Sequence, residues 1–292
     1  MSDRNRPAGR RFLTGLIGAP IAHSASPAMH ERAAAALGAH CHYQLIEIAG
    51  ADRDGLRALL GGVRLLGFAG VNVTFPYKEA VVALVDELSP GAAALGAVNT
   101  IVVRDRRLIG HNTDETGFAR AVADLVAASA GRPVAVIGAG GVGRAITFAL
   151  AGLGVGDIRL FDADRAKAES LAAALGGRRA AVADSVERAL SGATGLVNAT
   201  PVGMLPSRAS AVPEALLHDG LWVADAVYWP LWTPLLMAAR ARGARVMTGR
   251  ELAIFQAADA FALFTGLTPS TIEMGHAFDA VMAARRASAD AA

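Results

Sequence analysis

The sequence predicts an α/β protein of two domains. An amino-terminal βα domain with a mainly parallel sheet precedes a Rossmann-type dinucleotide-binding domain, and carboxyl-terminal helices return to the first. Three observations predict this. A chain of 292 residues is long for one ordinary compact core. Short apolar runs alternate with helical periodicity along it, the pattern of βα units and a parallel sheet. A glycine-rich turn at residues 138–143 then follows an apolar run and opens a helical stretch. The expected domains are 1–113, completed by 251–292, and 114–250.

The first set of elements opens with the apolar run FLTGLIG from Phe12. Ser26-Pro27 predicts a helix start, with serine as N-cap and proline at the first helical position. CHYQLIEI reads as a second strand, residues 51–63 as a helix and FAGVNV as a third strand. Pro76 would open the next helix and leave Lys78 on its first turn, an end where the helix dipole favours anions over cations. NTIVVRDRRLIG has the form of a hairpin, and a helix over residues 114–128 leads to GRP, a break that looks like a domain seam. From Pro133 a second set follows: VAVIGAGG, helix, DIRLFDAD, helix, TGLVNATP, GLWVADAVY, helix, ARVMTG. Two last helical segments, roughly 251–266 and 269–286, have no strand after them, which lets the chain pack back on the first domain. The first ten and last eight residues read as loosely ordered tails.

Composition excludes several functions. Basic and acidic residues nearly balance, 28 against 26, and are spread along the chain without the dense Lys/Arg stripe that nucleic-acid binding requires. Cys41 is the only cysteine, which excludes an internal disulfide and a cysteine zinc cage and fits a reducing, cytoplasmic compartment. The seven histidines show no metal-ligand clustering, so no metal is expected. No apolar run approaches the roughly 20 residues that span a bilayer, and the arginine-rich start lacks the apolar segment of a secretory signal. No membrane association is expected, and monomer and homodimer both stay open.

VAVIGAGGVGRAI places Gly138, Gly140 and Gly143 in G-x-G-x-x-G spacing, with Ala139, Gly141 and Val142 between them. In a strand-to-helix context the first glycine permits the tight turn, the second lets backbone approach a pyrophosphate, and the third lets helix and strand pack closely. The helix start then offers N–H groups and positive dipole to the phosphates. Asp162 lies 24 residues after Gly138, near the point where an acidic residue accepts hydrogen bonds from the adenosine ribose hydroxyls. That carboxylate would repel a 2′-phosphate, so NAD is expected over NADP, with Arg165 and Lys167 just beyond as complicating cations.

In the first domain, Ser24 and Ser26 are two residues apart, so in extended backbone both hydroxyls would face one side and could bind a carboxylate. GAVNT contributes Asn99, and GHNTDETGF contributes Asn112 and Asp114, the latter also a natural helix cap. In this order HSASPAMH, NVTFPYK, GAVNT, GHNTDETGF, GAGGVGRA, NATPVGM, DAVYWPLWTPLL and FQAADAFALFTG resemble the shikimate dehydrogenase family, including its quinate/shikimate dehydrogenase branch, over nearly the whole chain.

The resemblance implies a substrate domain and a nucleotide domain facing each other across a cleft. It implies that Ser24 and Ser26 bind the substrate carboxylate and that Lys78 and Asp114 form the catalytic pair. Thr74, Asn99 and Gln256 match its hydroxyl-binding positions, and Tyr228 a position near the substrate ring. On the nicotinamide side it implies Asn198, Ala199, Thr200, Val227, Gly249 and Leu252. An alcohol gives up a hydride to a nicotinamide only as its proton departs, so Lys78 is expected to relay the proton while Asp114 orients it. Which of the two is the microscopic base stays open.

Two departures refine the expectation. NADP-using members carry an NRT-type stretch whose arginine grips the 2′-phosphate. Here DAD stands there, with Ala163 in the arginine's place and the basic Lys167 beyond, as in the NAD-linked branch. The quinate-active branch often has SRT where this chain has SAS, so Ser26 replaces a threonine. The expected activity is reversible, NAD-dependent oxidation of shikimate to 3-dehydroshikimate, with quinate oxidation an open addition. The alternatives are an NADP-dependent biosynthetic shikimate dehydrogenase and a non-catalytic ligand sensor.

Overall fold

The computed structural model describes residues 9–129, 131–176 and 179–290. The chain divides into two compact units, one of residues up to 113 together with those from 256 onward, the other of residues 114–255.

In the first unit β1 (Arg11–Gly18) lies between β2 (His40–Glu47) and β3 (Gly70–Val73), parallel to both. With β4 (Glu87–Leu88), β5 (Thr100–Arg104) and β6 (Arg107–His111) the sheet runs β2-β1-β3-β5-β6-β4. β5 is antiparallel to β3 and β6, and the expected hairpin forms through Asp105 and Arg106, both at positive φ as primed turns require.

Helix α1 (Ser26–Ala36) corrects one expectation. Its N-cap is Ala25, Ser26 is the first helical residue, and no side chain caps in the usual way. The Ser24 hydroxyl instead accepts the Ser26 N–H at 3.2 Å, which satisfies one orphan donor of the first turn without Ser26's own side chain. Helix α2 (Arg53–Leu65) is capped by the Asp52 carboxylate on the Gly55 N–H and buries Leu56, Leu60 and Val63 against Ile17, Val71 and Val73 of the sheet. The short α3 (Pro90–Leu95) has Ser89 as cap and ends at Gly96 in the left-handed region.

No α-helix opens at Pro76. The Phe75–Pro76 peptide is cis, the Tyr77 N–H closes a turn onto the Thr74 carbonyl at 3.0 Å, and a 3-10 helix begins only at Ala80. The backbone here is committed elsewhere. The Lys78 carbonyl accepts the Val98 N–H at 2.8 Å, and the Tyr77 hydroxyl joins the Ile48 carbonyl and the Ala51 N–H.

The second unit begins with α4 (Thr113–Ala127), of which all but the first residue falls in it. Then come β7 (Val134–Ile137), α5 (Gly141–Gly152), β8 (Ile158–Phe161), α6 (Arg165–Ala174), β9 (Ala180–Val182) and α7 (Val186–Leu190). β10 (Gly195–Asn198), β11 (Trp222–Asp225), α8 (Pro234–Ala241) and β12 (Arg245–Met247) complete it. The sheet is wholly parallel in the order β12-β11-β10-β7-β8-β9, the doubly wound Rossmann arrangement. Both its faces are covered. Val134 and Val136 pack with Phe118, Ile146 and Leu150 on one side, while Ala135 and Ile137 pack with Leu190, Leu235 and Leu236 on the other. Phe118, Val122 and Leu125 of α4 share that first core, so the GRP break lies inside the unit and is not its seam.

Helix α9 (Gly249–Thr265) starts in the second unit, where Leu252 joins the core, and ends in the first, where Ala260 and Phe264 pack on Val102. That burial of Leu252 puts the division after Phe255, five residues beyond the boundary read from the sequence. Helix α10 (Thr271–Asp290) packs along α1. Its alanine-rich end carries the helix through Arg285–Asp290, where a loose tail was expected. Residues 1–8 of the other expected tail lie outside the described residues.

Candidate active site

Strand β1 ends at Gly18 and β3 at Val73, and the segments that follow carry the polar residues of the first unit. The Thr74 N–H donates to the Ile17 carbonyl and the Ala19 N–H to the Phe75 carbonyl, so the two segments run side by side. Ser24 and Ser26 are half-buried, with their hydroxyls 3.1 Å apart. A helix entry brings them together, where extended backbone was expected.

Behind the serines lies a buried chain of neutral polar groups. The Tyr43 hydroxyl donates to Asn72 Oδ1 at 2.8 Å, and Asn72 Nδ2 donates to Thr100 Oγ1 at 2.9 Å and the Asn99 carbonyl at 3.2 Å. The Thr100 hydroxyl and the Thr113 N–H both donate to Asn99 Oδ1, at 2.9 and 2.7 Å. Burial pushes the Tyr43 phenol well above its ordinary value, against the opposing effect of the neighbouring Ser26 hydroxyl.

Lys78 is half-buried in the turn after β3, and its carbonyl bond to Val98 sets it beside the loop that carries Asn99. Thr74 is half-buried four residues earlier. Asn112 Nδ2 donates to the Ala97 carbonyl at 3.1 Å. Asp114 follows Thr113 in the first turn of α4, and Gln256 is half-buried on α9.

In the second unit the strand order reverses between β7 and β10, and the crevice beyond their carboxyl ends is where such sheets bind ligands. The glycine loop follows β7. Gly138 has φ +104°, and a Cβ there would meet Thr200 Cγ2 at 2.8 Å; a Cβ on Gly143 would run into the Gly138 carbonyl. A Cβ on Gly140 or Gly141 would meet no protein atom within 4 Å. The first and third glycines are thus demanded by the fold, whereas the second leaves open space at the start of α5, the cradle a pyrophosphate fits. Asp162, at the end of β8, accepts the Ala139 N–H at 2.7 Å and the Asp164 N–H at 2.8 Å. The nearby cations have carboxylate partners of their own: Arg165 holds Glu169 and Asp184, and Lys167 lies 3.6 Å from Asp164.

The residues expected on the nicotinamide side are partly brought together. A Cβ on Gly249 would lie 2.5 Å from the Val227 carbonyl, so these two are in close contact, and Leu252 is buried one turn on. Asn198 is fully buried and its amide is consumed: Nδ2 donates to Asp225 and the Val202 carbonyl, and Oδ1 accepts the N–H and hydroxyl of Thr200. It can shape the Ala199–Thr200 turn but has no polar atom left for a ligand. Tyr228 is 39% exposed.

Sequence reasoning missed two groups. Tyr43 sits on a strand outside every motif, whereas Asn72, Thr100 and Thr113 lie inside NVTFPYK, GAVNT and GHNTDETGF beside the residues to which roles were given. Asp225 is completely buried and takes Thr233 Oγ1 at 2.7 Å and the Val227 N–H and Asn198 Nδ2 at 2.9 Å each. Burial raises its carboxyl to about 6 despite those three donors. An aspartate closing an apolar strand, WVAD, was the available signal.

A family model described as the shikimate dehydrogenase substrate binding domain matches residues 16–101. Over 271 residues the chain is 46% identical to a shikimate dehydrogenase (NADP(+)) of Streptomyces avermitilis, covering 90% of this chain and 93% of that one. It is 45% identical over 276 residues to a quinate/shikimate dehydrogenase (NAD(+)) of Corynebacterium efficiens, covering 91% and 97%. A quinate dehydrogenase from Corynebacterium glutamicum, solved in complex with NAD, superposes with a TM-score of 0.87 at 40% identity, covering 93% of this chain and 99% of that one. The chain belongs to the shikimate dehydrogenase family, oxidoreductases that act on alcohol groups and use a nicotinamide dinucleotide.

Proposed function

We propose that this enzyme reversibly oxidises the C3 hydroxyl of shikimate to 3-dehydroshikimate with NAD, and that quinate is a second substrate. The observation that carries the NAD reading is Asp162. Two backbone N–H groups hold its carboxylate at the end of β8, each oxygen keeps a lone pair for a ribose hydroxyl, and its charge opposes a 2′-phosphate. Ala163 beside it offers no cation, and Arg165 and Lys167 are drawn toward carboxylates.

Gly138, Ala139, Gly140, Gly141, Val142 and Gly143 would cradle the dinucleotide phosphates, with Ala199, Thr200, Val227, Gly249 and Leu252 toward the nicotinamide. When bound there, a nicotinamide dinucleotide would supply the hydride acceptor. The remaining work falls to side chains of this chain. Ser24 and Ser26 donate hydroxyl hydrogens to the substrate carboxylate, and Thr74, Asn99 and Gln256 orient its ring hydroxyls. Lys78 relays the proton of the reacting hydroxyl, Asp114 orients Lys78 and the substrate hydroxyls, and Tyr228 lies near the ring. Proton transfer by such a group is worth about 10²–10⁴-fold.

The Streptomyces avermitilis relative favours a second reading, an enzyme that uses NADP. Initial rates for shikimate and quinate, each with NAD and with NADP, decide between them. A large NAD preference supports Asp162 as the ribose reader, whereas an NADP preference overturns it and gives the phosphate to Arg165 or Lys167. Lys78→Ala should lower kcat far more than it weakens substrate binding. No wild-type turnover with any of the four pairs would instead leave a ligand sensor.

A further inference from the structure

On the reading just given, we propose that Asp225 is a positioning residue for the nicotinamide: its carboxylate ties the Ala199–Thr200 turn after β10 to the Val227 turn after β11 and sets the spacing between them.

Asn198 and Asp225 are register partners at the carboxyl ends of the neighbouring parallel strands β10 and β11, and both are completely buried. The Ala226 N–H still donates to the Asn198 carbonyl at 2.9 Å, in the manner of the ladder. One residue on, the Val227 N–H turns back to Asp225 Oδ1 at 2.9 Å. The same oxygen accepts Asn198 Nδ2, also at 2.9 Å, and Asn198 Oδ1 accepts the Thr200 N–H at 3.0 Å and its hydroxyl at 2.7 Å. Every link from Thr200 to Val227 is therefore a hydrogen bond of ordinary length, and Asp225 Oδ1 is the joint.

Packing does not account for a carboxylate at this point. A neutral apolar side chain would fill the space without the cost of burying a charge. A group that only accepts supplies something else, a fixed meeting point for several donors: Oδ2 takes the Thr233 hydroxyl at 2.7 Å while Oδ1 serves the two turns. Each turn also has a second seat. A Cβ on Gly138 would meet Thr200 Cγ2 at 2.8 Å and the Ala199 carbonyl carbon at 2.9 Å, and a Cβ on Gly249 would lie 2.5 Å from the Val227 carbonyl oxygen. The first turn thus rests on the glycine loop and the second on the start of α9, and Asp225 relates one to the other. Hydride transfer depends steeply on where the nicotinamide ring sits, a misplacement of about 1 Å costing about 10²-fold.

The test is Asp225→Ala, assayed with shikimate and saturating cofactor well below the variant's melting temperature, with ADP-ribose, which lacks the nicotinamide, as a competitor. kcat should fall about tenfold or more while the inhibition constant of ADP-ribose stays at the wild-type value. Asp225→Asn, which keeps an oxygen for Asn198 and Val227, should recover most of kcat; a rate as low as that of Asp225→Ala overturns the proposal. A role in stability alone would lower the melting temperature and leave kcat unmoved, or weaken ADP-ribose by the factor that kcat loses, and either result overturns the proposal. If Asp225→Ala does not fold, Asn198→Ala cuts the same link from the other turn. kcat should then fall in the same way, and an unchanged kcat overturns the proposal. Wild-type protein that turns over neither shikimate nor quinate overturns the functional reading and the proposal with it. Wild-type turnover with an unmoved kcat in Asp225→Ala overturns the proposal alone.

Discussion

The two units each bury a polar hub, and the hubs are chemically opposite. In the first, Tyr43, Asn72, Asn99, Thr100 and Thr113 join through hydroxyls and amides with no formal charge. In the second, a single carboxylate, Asp225, gathers Asn198, Val227 and Thr233. Neutral groups lose little by leaving water once each has a partner, whereas a carboxylate keeps a residual desolvation penalty even with three donors. Hence the first hub can organise a substrate site with little dependence on pH, while the second ties loops together with a group that titrates near 6.

Deleting the charge gives the largest effect. Asp225→Ala strands the Thr233 hydroxyl, the Asn198 amide and the Val227 N–H, and should cost about 3–5 kcal/mol. All three tryptophans, Trp222, Trp229 and Trp232, lie in the second unit, so their fluorescence in a urea titration reads that unit. An unmoved fluorescence midpoint would remove Asp225 from the role of hub.

Asp225→Asn sharpens the comparison through pH. The folded carboxyl sits above its unfolded value, so its contribution is fully present below about pH 4 and is lost as pH rises through about 6. The raised value corresponds to about 3 kcal/mol in all. Relative to Asp225→Asn, the wild type should lose stability between pH 4 and 6.5 and hold level above that. A stability difference independent of pH would contradict the assignment.

The neutral hub should behave otherwise. Asn72→Ala leaves the Tyr43 hydroxyl and Thr100 short of partners and should cost about 1–3 kcal/mol, the same at pH 5 and pH 7. Amide exchange should quicken in β3 and β5 and not in β7 and β10; a cost that varies with pH would erase the contrast. The smallest change is expected far from either hub. Arg57 and Asp54 pair on the surface of α2 at 57% and 84% exposure, and Arg57→Ala should shift stability by less than about 0.5 kcal/mol at any pH in this range.

What the sequence could tell depended on how local the physics was. The glycine loop was legible because its demands arise within six residues: a positive φ at Gly138 and the approach of Gly143 to the Gly138 carbonyl. The parallel order of the second sheet followed from alternating apolar runs in the same way. Pro76 misled because the turn after Thr74 is decided by Val98 and Ile48, both more than 19 residues away along the chain. Ser26 lost its capping role to Ser24, a choice no capping rule could make without the helix entry in view. Strands β4 and β9 and helices α3 and α7 escaped notice because two to six residues hold no readable period. Tyr43 and Asn72 meet across 29 positions of chain, and nothing local to either names the other as its partner.

The interrupted first unit bears on how the protein is made. Its helix α1 is covered by segments near the end of the chain: His30 meets Phe261 and Phe264, each at 5.9 Å, and Arg32 pairs with Glu273 at 2.7 Å. Residues 114–255 are continuous and have everything they need as soon as they leave the ribosome, whereas the part synthesised first must wait for the part synthesised last. The usual amino-to-carboxyl order of domain folding is therefore expected to be reversed here. A chain truncated after residue 255 and released should show a protease-resistant second unit beside a cleavable first. During that wait the apolar side of α1 is exposed to whatever chaperones the cell provides.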